Sequence, residues 1–300
     1  MKTASQVFRA LGLMLVISGS IALTACQTAP VPWAVPDGVA TISVNGYPMA
    51  YRSKGSGPTV VMVAGVMCDY RCLDGQLEGL SNSHRVITVS LRHFYPERWD
   101  GTGSDFSVVQ HANDLIAFLE RIGPPVYVVA QSYGAHVSYE AARRRPDLFR
   151  KLIMAEAPVD SLLAATGDQI RQQRASETEA IFKRDGTEAG LEFAVDAING
   201  QGAWTKLPAA AKGVVRDNAW TVVGIGKDDA PRVRCEDFAA LKMPVMLVMG
   251  ENTTPRFRRL VQAQSACLKN APVVTIPRAG HGTPYQNPAD FNRAVRSFLE

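Results

Sequence analysis

Residues 126–145 read VYVVAQSYGAHVSYEAARRR. The stretch opens on Val126-Tyr127-Val128-Val129, an apolar run rich in β-branched residues that predicts a fully buried strand. It closes on a helical run with small residues at Gly134, Ala135, Ser138 and Ala141. Between them stands Ala130-Gln131-Ser132-Tyr133-Gly134. A strand that turns sharply into a helix holds its apex residue in a strained conformation, lifts that side chain above the sheet and brings the next backbone N–H beside it. Strand and helix approach so closely only if the residues two before and two after the apex are small, as Ala130 and Gly134 are. A small-x-Ser-x-Gly pattern occurs by chance roughly once in four chains of this length. Its position between a buried strand and a small-residue helix therefore carries the reading. Ser132 is the candidate nucleophile of a nucleophile elbow.

Outward from the elbow, strands and helices alternate. Val39–Val44 and Pro48–Arg52 predict a hairpin around Asn45-Gly46, a pair suited to two-residue turns. Thr59–Ala64, Val86–Leu91, Lys151–Ala155, Pro244–Met249 and Val273–Ile276 read as buried strands. Phe106–Arg121 and Pro288–Leu299 carry helical periodicity. Thr253-Thr254-Pro255 reads as a helix start with a hydroxyl cap and Pro at the first position. From Val159 to Asp237 strand runs cease; helical pieces such as Asp168–Phe182 and Glu188–Ile198 are broken by Gly200, Gly202, Pro208 and Gly213. The expected architecture is α/β, with a mostly parallel sheet covered on both faces. Residues 39–158 and 238–300 would form the core and 159–237 a helical cap.

The 300 residues are 46% hydrophobic, which suits one domain of moderate size with an insertion. There are 32 basic residues against 28 acidic ones, and two of the basic ones, Lys2 and Arg9, fall in the first ten positions. No stretch interleaves basic and aromatic residues, so nucleic acid is not an expected partner. Lys2 and Arg9 precede an apolar run from Leu11 to Leu23, too short to span a bilayer comfortably. Leu23-Thr24-Ala25-Cys26 at its end resembles a bacterial lipobox. That resemblance implies a signal peptide over residues 1–25, lipidation of Cys26 and a membrane anchor. Gln27 at the following position implies sorting to the outer membrane, facing the periplasm. Residues 26–38, with Pro30, Pro32 and Pro36, would be an extended tether. Export permits disulfides among Cys68, Cys72, Cys235 and Cys267, and the sequence leaves their pairing open. Their spacing matches no familiar zinc pattern. Neither a metal nor a cofactor is expected.

AQSYG, the Ala64-Gly65-Val66 loop after a strand and Ala279-Gly280-His281-Gly282 after the last strand resemble the α/β-hydrolase superfamily over roughly residues 39–300. The resemblance implies an eight-stranded-type sheet with a cap inserted after the sixth strand. Of the five histidines, His84, His93, His111, His136 and His281, it selects His281 as the base for Ser132. His93, just past a strand, is a candidate to line the pocket; His111 and His136 read as packing or surface residues. It also implies an oxyanion site at the backbone N–H groups of Val66 and Tyr133. The family's usual acid follows the strand 244–249, but here Gly250-Glu251-Asn252-Thr253 places Thr253 there, which cannot serve. Two carboxylates remain. Glu156 ends the strand after the elbow, where haloalkane dehalogenases carry a catalytic glutamate; Glu251 is the alternative, and Asp160 a more distant one. Serine at the apex argues against dehalogenase and epoxide hydrolase chemistry, which require a carboxylate nucleophile. The activity implied is cleavage of a small carboxylic ester through a Ser-His-Glu triad and an acyl-enzyme. Haloperoxidase-type perhydrolysis, thioester or lactone cleavage and carbon–carbon hydrolysis use the same triad. A non-catalytic binding lipoprotein on the same fold is the alternative class. Oligomeric state is not legible.

Overall fold

The central strands are buried on both faces, and this sets the layers. The computed structural model describes residues 33–164, 167–228, 232–269 and 271–300. The signal segment, Cys26 and most of the tether lie outside them. Eight strands form one sheet: β1 (Ala40–Val44), β2 (Tyr47–Lys54), β3 (Thr59–Val63), β4 (Arg85–Val89), β5 (Val126–Gln131), β6 (Phe149–Ala155), β7 (Val245–Gly250) and β8 (Val273–Ile276). Their spatial order is β1-β2-β4-β3-β5-β6-β7-β8. The β1–β2 hairpin and the β2–β4 pair are antiparallel; every other neighbouring pair is parallel.

The helices are α1 (Asp74–Leu80), α2 (Val108–Ile122), α3 (Tyr133–Arg144), α4 (Gly167–Asp185), α5 (Thr187–Asn199), α6 (Ala203–Lys206), α7 (Ala209–Asp217), α8 (Thr221–Lys227), α9 (Cys235–Ala239), α10 (Pro255–Leu268), α11 (Thr283–Gln286) and α12 (Pro288–Leu299). Successive strand residues point to opposite faces. Val61, Val63, Val128, Ala130, Leu152 and Met154 join one apolar cluster with Leu115, Phe118 and Leu119 of α2 and Val137 of α3. Their neighbours Val60, Met62, Val129, Ile153 and Ala155 join another with Leu77 of α1 and Phe291 and Val295 of α12. Covering both faces is what a parallel sheet requires.

Between β6 and β7 the regular elements are helical. Phe182, Leu191, Val195, Trp204, Val222 and Val223 bury a separate small cluster that reaches Met67 in the loop after β3. Helix α9 runs across the expected 237/238 boundary. Its Phe238 is fully buried in the main core and stacks on Tyr139 of α3 at 4.3 Å. The disulfide Cys235–Cys267 fastens α9 to α10. A second disulfide, Cys68–Cys72, closes a short loop after β3. Thr254 caps α10 as expected by position, but its side chain makes no capping hydrogen bond. No helix among the described residues is long and apolar enough to cross a membrane.

Candidate active site

Ser132 stands between β5 and α3 with φ 51° and ψ −124°, a backbone conformation that L-residues rarely hold. The turn needs Gly134: a Cβ there would lie 2.3 Å from the Ala64 carbonyl oxygen. Gly65 is constrained in the same way, since a Cβ would come within 2.8 Å of Ser132 Cβ. Thus the loop after β3 is drawn against the apex. Val66 and Tyr133 both line the cavity that opens on Ser132.

His281, in the loop after β8, brings Nε2 to 2.9 Å from Ser132 Oγ and Nδ1 to 2.7 Å from Glu156 Oε2. A carboxylate accepts, so Nδ1 carries the proton and Nε2 is left to accept from the serine hydroxyl. Phe257 of α10 stacks on the imidazole with centroids 3.7 Å apart and an interplanar angle of 17°. Gln131 adds its amide Nε2, 3.2 Å from the His281 carbonyl oxygen and 3.3 Å from His281 Nε2.

Glu156 is fully buried and takes a left-handed backbone turn at φ 48° where β6 ends. Its carboxylate also accepts from Gly250 N at 2.8 Å and from Thr253 Oγ1 at 2.7 Å. A buried carboxylate without such donors would be costly. Thr253, at the position where the resemblance would have placed an acid, instead donates a hydrogen bond to the Glu156 carboxylate at the end of the neighbouring strand.

Glu251 lies elsewhere. It is exposed, and its carboxylate accepts from Arg278 N at 2.8 Å. Asp160 lines the cavity but is engaged by Arg256, whose Nε and Nη2 stand 2.9 and 2.5 Å from its oxygens. His93 does not line the Ser132 cavity. It bridges Glu97 and Asp105 at 3.0 and 2.8 Å and stacks on Trp99. Burial opposes its charge, but the two carboxylates outweigh burial and raise its pKa above 6.5. His111 and His136 are both buried, and desolvation holds each down to about 3. His111 Nε2 faces the Arg92 carbonyl at 3.1 Å, so it donates there, and Nδ1 accepts from Tyr133 OH at 2.8 Å. His111 thereby anchors the ring of the residue next to Ser132.

The loop after β3 is fixed from the cap side. Met67 has φ 58°, and its N–H donates to Thr221 Oγ1 of α8 at 2.8 Å. Asn218 Nδ2 donates to Asp69 at 2.7 Å, and Arg71 joins Asp69 to Asp217 of α7. Sequence reasoning missed Phe257, Gln131, Thr221 and Asn218, because nothing in their local pattern tells which distant side chain they meet. Thr253 was visible only as a missing acid.

The family model described as "Alpha/beta hydrolase family" matches residues 60–294. The chain belongs to the alpha/beta hydrolase family. Among curated relatives, epoxide hydrolase 2 of Siraitia grosvenorii is 30% identical over 115 residues, 38% of this chain and 36% of its own length. The match thus spans only about a third of that relative. Among solved structures, a thermophilic esterase from Thermogutta terrifontis superposes with TM-score 0.70 at 20% identity, covering 87% of this chain and 97% of the other. The enol-lactonase from Burkholderia xenovorans LB400 gives TM-score 0.70 at 16% identity, covering 86% and 99%. These likenesses establish the alpha/beta hydrolase fold.

Proposed function

We propose that this alpha/beta hydrolase cleaves carboxylic esters with Ser132 as nucleophile, His281 as base and Glu156 as the acid that orients it. The observation carrying the reading is the unbroken hydrogen-bonded line Ser132–His281–Glu156, at 2.9 and 2.7 Å. A serine hydroxyl is a weak nucleophile until a base takes its proton. In this reading Ser132 Oγ attacks the acyl carbon as its proton passes to His281 Nε2, and Glu156 stabilises the imidazolium. The backbone N–H groups of Val66 and Tyr133 receive the developing oxyanion. The tetrahedral species collapses, and the departing alcohol takes the proton from His281. Water then attacks the acyl-enzyme, gives its proton to His281, and the acid leaves as Ser132 regains its proton. Serine at the apex sets this chemistry apart from an alkyl-ester route.

Hydrolysis of short-chain 4-nitrophenyl esters tests the assignment. Ser132→Ala should lower kcat/KM by at least about 10³-fold. An unchanged rate in that variant would overturn it. We further propose, from the sequence around Cys26, that the chain is anchored by a lipidated cysteine in the cell envelope. Radiolabelled palmitate should enter the parent protein and not Cys26→Ser; equal incorporation would refute the anchor.

A further inference from the structure

The cavity that opens on Ser132 holds about 430 Å³. Much of its wall is apolar, with Val66, Ala194, Val222 and Ile225 among the lining residues. Its charge is lopsided. Arg171, Arg174, Arg256 and Arg259 line it, and Asp160 is the one carboxylate among the described lining residues. Arg256 is already gripped by Asp160. Arg174 and Arg259 are exposed to water.

Arg171 of α4 is different. Its side chain is only 9% exposed, and its Nε is buried with no hydrogen-bond partner. Its one ion pair among the described residues is a contact of 3.3 Å from Nη2 to Asp168. Its field reaches Tyr133 and His136, on the helix that begins beside Ser132. A buried guanidinium with an idle donor is costly unless a ligand completes its bonding. The group it fits best is a planar carboxylate, which takes two parallel N–H bonds from the guanidinium fork.

We infer that Arg171 binds a carboxylate carried by the substrate itself. The preferred substrates are then esters or lactones that bear a free carboxylate besides the scissile bond. This inference rests on the serine-hydrolase reading and narrows its substrate class.

Two ester pairs test it. Mono-4-nitrophenyl glutarate against 4-nitrophenyl butyrate places the charge on the acyl side. 3-Acetoxybenzoate against phenyl acetate places it on the alcohol side. In at least one pair the parent protein should favour the anionic member by about tenfold or more in kcat/KM. Arg171→Gln should lower kcat/KM for that member by about 30-fold or more, mainly through KM. It should leave the neutral member within about twofold, and Arg171→Lys should restore part of the loss. Neutral esters favoured in both pairs, or an equal loss on both members in Arg171→Gln, would overturn the inference.

The parent protein alone gives a second readout that needs no variant to fold. Glutarate should slow fluorophosphonate labelling of Ser132, while chloride at matched ionic strength does not. Protection by inorganic phosphate without protection by glutarate would overturn the choice of carboxylate. Fast labelling with no anion preference sinks this inference alone; failure to label sinks the hydrolase reading and this inference with it.

Discussion

Glu156 takes three hydrogen bonds, from His281, Thr253 and Gly250. Replacing it by Gln presents the imidazole with an uncharged amide that can favour the wrong tautomer, and kcat should fall by about 10³- to 10⁴-fold. Glu251→Gln should stay within about twofold, because that carboxylate faces Arg278. Steady-state kinetics on one ester separate the two. Thr253 Oγ1 lies 2.7 Å from the same carboxylate oxygen that meets His281, so a longer acidic side chain at 253 comes within reach of the imidazole. Glu156→Gln combined with Thr253→Asp should therefore regain at least tenfold over Glu156→Gln alone, whereas Thr253→Asp alone should lose activity, since two adjacent carboxylates resist ionising together. No recovery in the double variant would mean that the acid cannot be served from the β7 loop. Glu156 could be named from the chain because it ends the strand after the elbow, where the resemblance to haloalkane dehalogenases implies a glutamate. Its partnership with Thr253 could not, because the two are 97 positions apart.

The loop after β3 is tied by buried hydrogen bonds to Thr221 and Asn218. Met67 is buried, and its N–H has the Thr221 hydroxyl as its partner. Thr221→Val would leave that donor unsatisfied at a cost of about 1–3 kcal/mol. Part of this should appear as a loss of roughly tenfold in kcat/KM with KM little changed, and Thr221→Ser should recover most of it. An unchanged kcat in Thr221→Val would show that the cap does not position this loop. The disulfides act on different lengths of chain. Cys235–Cys267 closes 32 residues and Cys68–Cys72 only four. Loop-closure entropy then assigns about 3–4 kcal/mol to the first and about 2 to the second. Urea unfolding of Cys235→Ser/Cys267→Ser and Cys68→Ser/Cys72→Ser should rank them in that order.

At the scale of the molecule, the histidines set the acid limb of stability. His111 and His136 are held neutral by burial, each with a pKa down at about 3 against 6.5 unfolded. The unfolded chain therefore binds more protons below pH 6.5, and stability falls as pH drops, by about 2–3 kcal/mol for each ring by pH 4.5. His93 acts with the opposite sign. Its raised pKa makes its contribution complete below 6.5 and lost as pH climbs through the folded value. Glu97 and Asp105 have lowered pKa values and keep their contribution until pH falls below the ordinary carboxylate range. Two neutral rings against one charged one leave a net fall. The urea midpoint should decline from pH 6.5 to 4.5, more steeply in His93→Gln and less steeply in His136→Gln. A flat midpoint over that range would contradict this account.

Local chemistry was enough to place the strands, the elbow at Ser132, the loop bearing His281 and the change to helices after β6. Each rests on periodicity, small residues at a close approach or turn-forming residues, and these act between near neighbours in the chain. What the tertiary structure decided was which distant groups meet. Cys235 meets Cys267 because α9 packs on α10, and Cys68 meets Cys72 within the short loop after β3. His93 left the cavity because Glu97 and Asp105 claim both its nitrogens. Arg171 is a buried cation with an idle donor only in the packed chain. Burial and side-chain partners are properties of the packed chain, and no spacing along the sequence encodes them.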